Sequence, residues 1–296
     1  MLEKKPLATA YIKLNYEDVK RHIAPYGGFQ GVTLGALTTG HIRDWKLWAA
    51  EKGLSGRRIN SVLSAMRVAV RYAVNREELE RDPFRKIEKA AEDLKEKGVL
   101  SSEEMAKLIQ SPIQDPRARL GILLGMLCAM RRGEIRGLQW GDISTGLIHI
   151  CHNWQDGEGI KEPKRGSRRI VPVPAILLRV LNLVGKDAKN FSADAFVFDG
   201  ITGKPLGNTF FRNALIRELK NIDISSDEQK RRNITFHSLR HTCVTLLRLS
   251  GITDLAIQAL AGHKDANMMH HYSHALQVLN IDAARESLEK ALDNIL

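Results

Sequence analysis

Apolar positions recur at three- and four-residue spacing along most of this chain, and strand-like runs replace that spacing in one stretch only. Residues 1 to about 93 read as helix throughout. Thr38 or Thr39 can cap a helix that passes through Trp48 and stops near Gly53, and Ser55 opens a longer one ending about Asn75. In that longer helix Ile59, Val62, Met66, Ala69 and Ala73 form an apolar stripe. The opposite face carries Arg57, Asn60, Ser64, Arg67 and Arg71, which suits either plain solvation or a grip on a polyanion.

Asp82-Pro83 closes this region, because the residue before a proline is pushed out of helix. From Lys86 to Lys97 the chain is dense in charge and poor in apolar residues, as a linker would be. The boundary is therefore placed between Lys89 and Leu100, giving a helical domain at 1–93 and a second domain at 94–296. Helix restarts with Ser101 as N-cap and Glu104 completing a capping box. An apolar helix, Leu120 to Met130, follows and ends in Arg131-Arg132-Gly133-Glu134. Strands are expected at Leu147 to Cys151 and Arg168 to Val173, around a turn containing Gly157 and Gly159, with Pro172 near a sheet edge. Helices resume after Pro174. The expectation is a mainly α fold with a small antiparallel β-sheet.

The densest chemistry lies in 234–274. His237 and Arg240 stand three apart in a helix opening, on one face, where they can hold an anion. That helix continues through Val244, Leu246 and Leu247 to Gly251; a shorter one, Asp254 to Ala261, stops at Gly262, and His263 and Tyr272 follow. A metal reading is weak: His237 and His241 sit four apart, but Ser238 stands where a zincin needs glutamate. Beyond Tyr272, Ile281, Ala284, Leu288, Ala291 and Ile295 space an amphipathic tail helix at about 276–296, able to pack on its own domain or on a neighbouring protomer.

Composition narrows the partner. The 296 residues hold 45 Lys+Arg against 34 Asp+Glu, a net charge of +11 that favours a polyanion. The three cysteines lack a CxxC pattern and sit in apolar or strand-like contexts, as reduced, buried thiols do. No apolar run reaches a membrane span, and no basic stretch followed by an apolar core opens the chain, so a cytoplasmic protein is expected.

The order His, Arg, His, Tyr in the C-terminal stretch resembles the C-terminal box of the tyrosine recombinases, the phage-integrase family. AMRRGEIRGLQWGDI is similar to that family's first arginine box, and KEPKRGSRRIVPVP to its lysine-bearing hairpin. The match covers about 100 to 275 and, more weakly, the N-terminal domain, which resembles a core-binding domain. Cys128 and Met130 depart from the usual small hydroxyl residue and leucine, at packing positions. The resemblance selects Arg131 over Arg132, and Lys164 over Lys161. It implies a helical core-binding domain plus a mixed α+β catalytic domain, with no cofactor and no metal.

The roles the resemblance implies have chemical reasons. In-line attack on a phosphodiester builds charge on its nonbridging oxygens, and Arg131 and Arg240 would clamp these with forked bonds that lysine matches poorly. Tyr272 would be the nucleophile, His237 its proton acceptor, and His263 a hydrogen-bond donor to the phosphate. Lys164 would protonate the leaving 5′-hydroxyl. Glu134 would orient its neighbours, and Arg57, Arg67 and Arg71 would face DNA. The implied function is an integrase of a mobile element, acting on double-stranded DNA as a homotetramer on synapsed sites, with room for an accessory directionality factor. A Xer-like dimer resolvase, a type IB topoisomerase and a non-cleaving DNA-binding protein are the alternatives.

Overall fold

The computed structural model describes residues 9–93, 98–163, 167–200 and 202–262, together with Arg285, Glu286, Glu289, Lys290, Leu292 and Asp293. The chain divides into two compact units, Met1–Lys95 and Glu96–Leu296.

The first unit is helical among its described residues: α1 (Thr9–Asp18), α2 (Thr39–Glu51) and α3 (Gly56–Asn75), joined by short helical turns. Thr38 caps α2, accepting from the His41 amide while His41 accepts from the Thr38 amide. Thr39 instead donates its hydroxyl to the Pro83 carbonyl at 2.9 Å. Ser55 caps α3. The core unites Ile42, Trp45 and Ala49 of α2 with Ile59, Val62, Leu63 and Val70 of α3, closed by Phe84 and Ile87. The stripe on α3 is therefore rotated from the expected one. Ala69 is exposed and Met66 half-buried, because Leu63 and Val70 offer more apolar surface to α2 and to Phe84.

The charged segment after Pro83 is held along α3. Asn60 donates Nδ2 to the Ala90 carbonyl (3.0 Å) and accepts the Ala90 amide (2.7 Å). A Cβ on Gly56 would stand 1.7 Å from the Ala91 carbonyl oxygen, so only glycine lets this segment pass. The linker expected from charge density is thus fixed at least to Glu92, whose carboxylate also accepts from Asn60.

The second unit is mixed. Its elements are α4 (Ser102–Gln110), α5 (Pro116–Leu127), α6 (Arg132–Gly137), β1 (Ile143–Ser144), β2 (Leu147–Ile150), β3 (Asn153–Gln155), β4 (Gly159–Lys161), β5 (Arg169–Pro172), α7 (Ala175–Lys186), α8 (Asn208–Lys220), α9 (Ser226–Arg231), α10 (Phe236–Leu249) and α11 (Asp254–Ala261). The Ser101–Glu104 capping box forms. An antiparallel sheet of order β1-β2-β5 pairs His149 with Ile170, and a separate β3–β4 hairpin pairs Asn153 with Lys161. Pro172 ends the edge strand β5, where no ladder hydrogen bond is lost. The fold is mostly helical with small antiparallel sheets.

One core fills this unit, with α5 at its centre against α7, α8 and α10. Cys128 and Cys243 are buried thiols, while Cys151 is only half-buried. The tail residues named for an amphipathic helix lie outside the described residues. Two tail residues that are described pack on their own unit: Leu292 is buried in its core, and Arg285 donates to the Gly146 carbonyl at 3.1 Å. Among the described residues no helix is long and apolar enough to cross a membrane.

Candidate active site

The site begins where α5 ends. From Ala118 to Leu127 every residue of this helix is buried, as befits a helix that is apolar all round but for Arg119. Ala129 then takes a left-handed backbone with φ of 51°, a conformation that costs a non-glycine residue about 1–3 kcal/mol. The helix therefore stops at Leu127 rather than running to Met130 as the apolar run suggests. The Met130 amide turns back to the Leu124 carbonyl at 3.3 Å. Arg131 emerges as the N-cap of α6.

Arg131 is held on three sides. Its Nη1 donates to Glu134 Oε1 at 2.7 Å and to Ser167 Oγ at 3.4 Å, and its Nη2 to the Gly262 carbonyl at 2.8 Å. Its backbone amide donates to Glu134 Oε2 at 2.9 Å. Glu134 is 1 % exposed and serves a second guanidinium, that of Arg169 on β5, through a forked pair of 3.1 and 2.8 Å. Burial alone would push this carboxyl up, but the bonds from Arg169 and then Arg131 overturn that and hold it below the ordinary carboxylate range.

Arg240 comes from the first turns of α10, which Thr235 and Ser238 cap reciprocally. It is 2 % exposed, and its Nη1 donates to the Ala129 carbonyl at 2.5 Å. Its Nη2 is buried and has no hydrogen-bond partner among the described residues. Burial, with the positive charges of Arg131 and Arg169 close by, lowers this guanidinium to about 10. A buried cation with donors to spare, beside a second and a third cation, is a receptor for a desolvated anion.

His237 lies on α10 one turn before Arg240 and is exposed; its ring meets that of His241 edge to face, centroids 4.9 Å apart. Lys164, His263 and Tyr272 lie outside the described residues, as do His270, His271 and His274. Lys161 is exposed on β4 and ion-paired with Glu158. The described residues thus bring Arg131, Glu134 and Arg240 together and place His237 on the same helix as Arg240. Among the described residues no group of three His, Cys, Asp or Glu side chains could hold a metal ion.

Arg169 was not anticipated by motif. Its signal is its phase: in a strand, alternate residues share a face, and Arg169 alternates with Val171 and Val173, both buried. An arginine in phase with core valines must find a carboxylate inside.

On α3, Arg57 and Arg71 are exposed. Arg67 is half-buried, its guanidinium 5.4 Å from the centre of the Phe84 ring and donating to the Ile87 carbonyl at 3.4 Å.

Residues 98–277 match the phage integrase family. The chain is 25% identical over 260 residues to the ICEBs1 integrase of Bacillus subtilis, covering 83% of this chain and 68% of that protein. It is 30% identical over 237 residues to the tyrosine recombinase XerD of Halalkalibacterium halodurans, covering 76% and 73%. In fold it is similar to the Tn1549 transposon integrase in complex with a circular intermediate DNA, with a TM-score of 0.74 at 23% identity over 97% of this chain and 95% of that one. It is also similar to a lambda integrase tetramer bound to a Holliday junction, with a TM-score of 0.68 at 17% identity over 90% and 72%.

Proposed function

The chain belongs to the phage integrase family and is a tyrosine-type site-specific recombinase; from that premise we propose that it is the integrase of a mobile element. In this reading it cuts and rejoins double-stranded DNA through a 3′-phosphotyrosyl intermediate. The observation that carries the reading is the buried Arg240 guanidinium, with a spare Nη2 donor next to the fixed Arg131. Two forks at that spot suit the nonbridging oxygens of a phosphodiester whose charge grows in the transition state.

The chemistry then runs as follows. The Tyr272 phenol oxygen attacks phosphorus in line as its proton passes to His237. Arg131 and Arg240 bind the nonbridging oxygens, and His263 donates a further hydrogen bond. The bond from phosphorus to the 5′-oxygen breaks, with Lys164 supplying that oxygen's proton. The new phosphotyrosyl link keeps the bond energy, so attack by a 5′-hydroxyl of another duplex restores the backbone and releases Tyr272. Glu134 orients Arg131. On the DNA-facing side, Arg57 and Arg71 contact backbone phosphates, and Arg67 adds charge with whatever donors Ile87 leaves over. The working assembly is a homotetramer on synapsed sites at the nucleoid, with a directionality factor as accessory.

The likeness to mobile-element integrases favours integration. The 30% identity to a XerD supports a second reading, resolution of chromosome or plasmid dimers. Recombination between two directly repeated sites without an element's ends would select the second.

The test is a labelled duplex of element–host junction DNA carrying a nick that traps the intermediate, run on a denaturing gel. A labelled band at protein size that disappears in Tyr272→Phe, with DNA binding retained, is expected. Absence of the band across a library of sites, with binding intact, would overturn the cleavage chemistry.

A further inference from the structure

Arg169 occupies a junction that the catalytic roles above do not use. Its forked pair with Glu134 fixes the carboxylate that in turn holds Arg131. Its Nε donates to the Leu260 carbonyl at 2.6 Å, in the last turn of α11. The Gly262 cap lies against the same side chain: a Cβ there would stand 3.0 Å from Arg169 Nη1, and the residue's φ of 62° already selects glycine. Arg131 takes the Gly262 carbonyl from the other side at 2.8 Å. Two cations therefore close the negative end of α11, where helix carbonyls lack partners of their own. His263 is the next residue of the chain.

We propose that Arg169 is a positioning residue of the recombinase, setting Arg131 through Glu134 and the exit of α11 through Leu260. The inference rests on the phosphodiester chemistry proposed above. Arg169 belongs to β5, the strand that follows the segment bearing Lys164, so one guanidinium ties together three parts of the chain that carry reacting groups. Arginine is required for the task, since four bonds to three acceptors, the Glu134 carboxylate and the Leu260 and Ser167 carbonyls, need the planar fork and the Nε donor together. Lysine keeps the charge and cannot make that set.

The experiment compares the parent protein with Arg169→Lys and Arg169→Gln on two nicked junction duplexes. One carries an ordinary scissile phosphate; the other carries a methylphosphonate there, which is neutral and makes less demand on Arg131 and Arg240. Single-turnover formation of the covalent adduct, DNA affinity and thermal melting are read for each. On the ordinary phosphate both variants are expected to lose about 10²-fold in rate, as for a small misplacement of a catalytic group, with DNA affinity retained. On the methylphosphonate the deficit should shrink severalfold. Arg169→Lys carries the result if Arg169→Gln fails to fold. An equal loss on both duplexes would make Arg169 merely structural, and full activity in Arg169→Lys would reduce its part to charge; either overturns the proposal. If the parent forms no adduct on either duplex, the cleavage chemistry itself fails, a different outcome from these two.

Discussion

Among the buried guanidiniums of the second unit, Arg119 near the start of α5 and Arg240 beyond its end differ in what their surroundings leave over. Arg119 is 1 % exposed, and all three of its nitrogens are engaged. Nε and Nη2 donate to Glu218 Oε2 at 3.0 and 2.7 Å, Nη1 donates to the Ser111 carbonyl at 3.2 Å, and Nη2 also reaches Ser111 Oγ and the Pro112 carbonyl. Arg240, equally buried, has one carbonyl, two cations nearby and a spare donor. The first arrangement spends its donors within the fold and links α5 to α8, leaving over an acceptor, Glu218 Oε1, and no guanidinium nitrogen. The second is complete only with an anion. Burial of charge alone does not distinguish structure from function; the number of unspent donors does.

The largest effect that tests this difference is on stability. Arg119→Met should destabilise by about 3–5 kcal/mol in chemical denaturation, because Glu218 is left as an uncompensated buried charge, and adding Glu218→Leu should recover most of it. Arg240→Lys should do the opposite: melting no lower than the parent, with adduct formation slowed about 10²–10³-fold, the loss expected when one preorganised donor to a developing oxyanion is removed. A comparable loss of stability in both would erase the distinction.

A smaller effect sharpens it through pH. Burial lowers the folded Arg240 guanidinium to about 10, below its ordinary value, so burying its charge costs stability at every pH below about 10, and the folded state recovers stability as pH rises above about 10. A bound anion favours the charged form and offsets that cost. Phosphate or vanadate should therefore raise the thermal midpoint below pH 10, by the equivalent of about 2.7 kcal/mol at a hundredfold excess over Kd, and less above it. Arg240→Gln should abolish the response; a full response in that variant would place the anion elsewhere.

The smallest effect extends the same contrast to α3. Arg57→Ala and Arg71→Ala should each lower the slope of log affinity for DNA against log salt by about 1. Arg67→Ala should instead weaken the first unit by about 0.5–1 kcal/mol, through the lost Phe84 contact. Equal salt slopes for all three would mean that Arg67 leaves Phe84 when DNA binds.

The sequence by itself determined the features whose partners lie within a turn or a strand. The Ser101–Glu104 box, the Ser55 cap and the Gly262 helix end are local hydrogen-bond problems with local solutions. The order of arginine box, lysine hairpin and C-terminal box was legible for the same reason, since each motif is a short run of residues. Tertiary structure decided what each charge meets. Arg240 finds the Ala129 carbonyl 111 positions away, and Arg131 finds Gly262 across 131. Asn60 and Arg67 leave the polar face of α3 to hold the segment after Pro83, and Ala69 gives its place in the stripe to Leu63 and Val70. The apolar run through Met130 could not reveal the left-handed turn at Ala129, because that backbone is sustained by the contacts around it and not by the alanine. Arg169 shows the division most sharply. Its strand phase points it inward from sequence alone, but that it meets Glu134 and Leu260 there is fixed only when β5, α6 and α11 pack together, since a buried guanidinium takes its function from whichever acceptors the fold supplies.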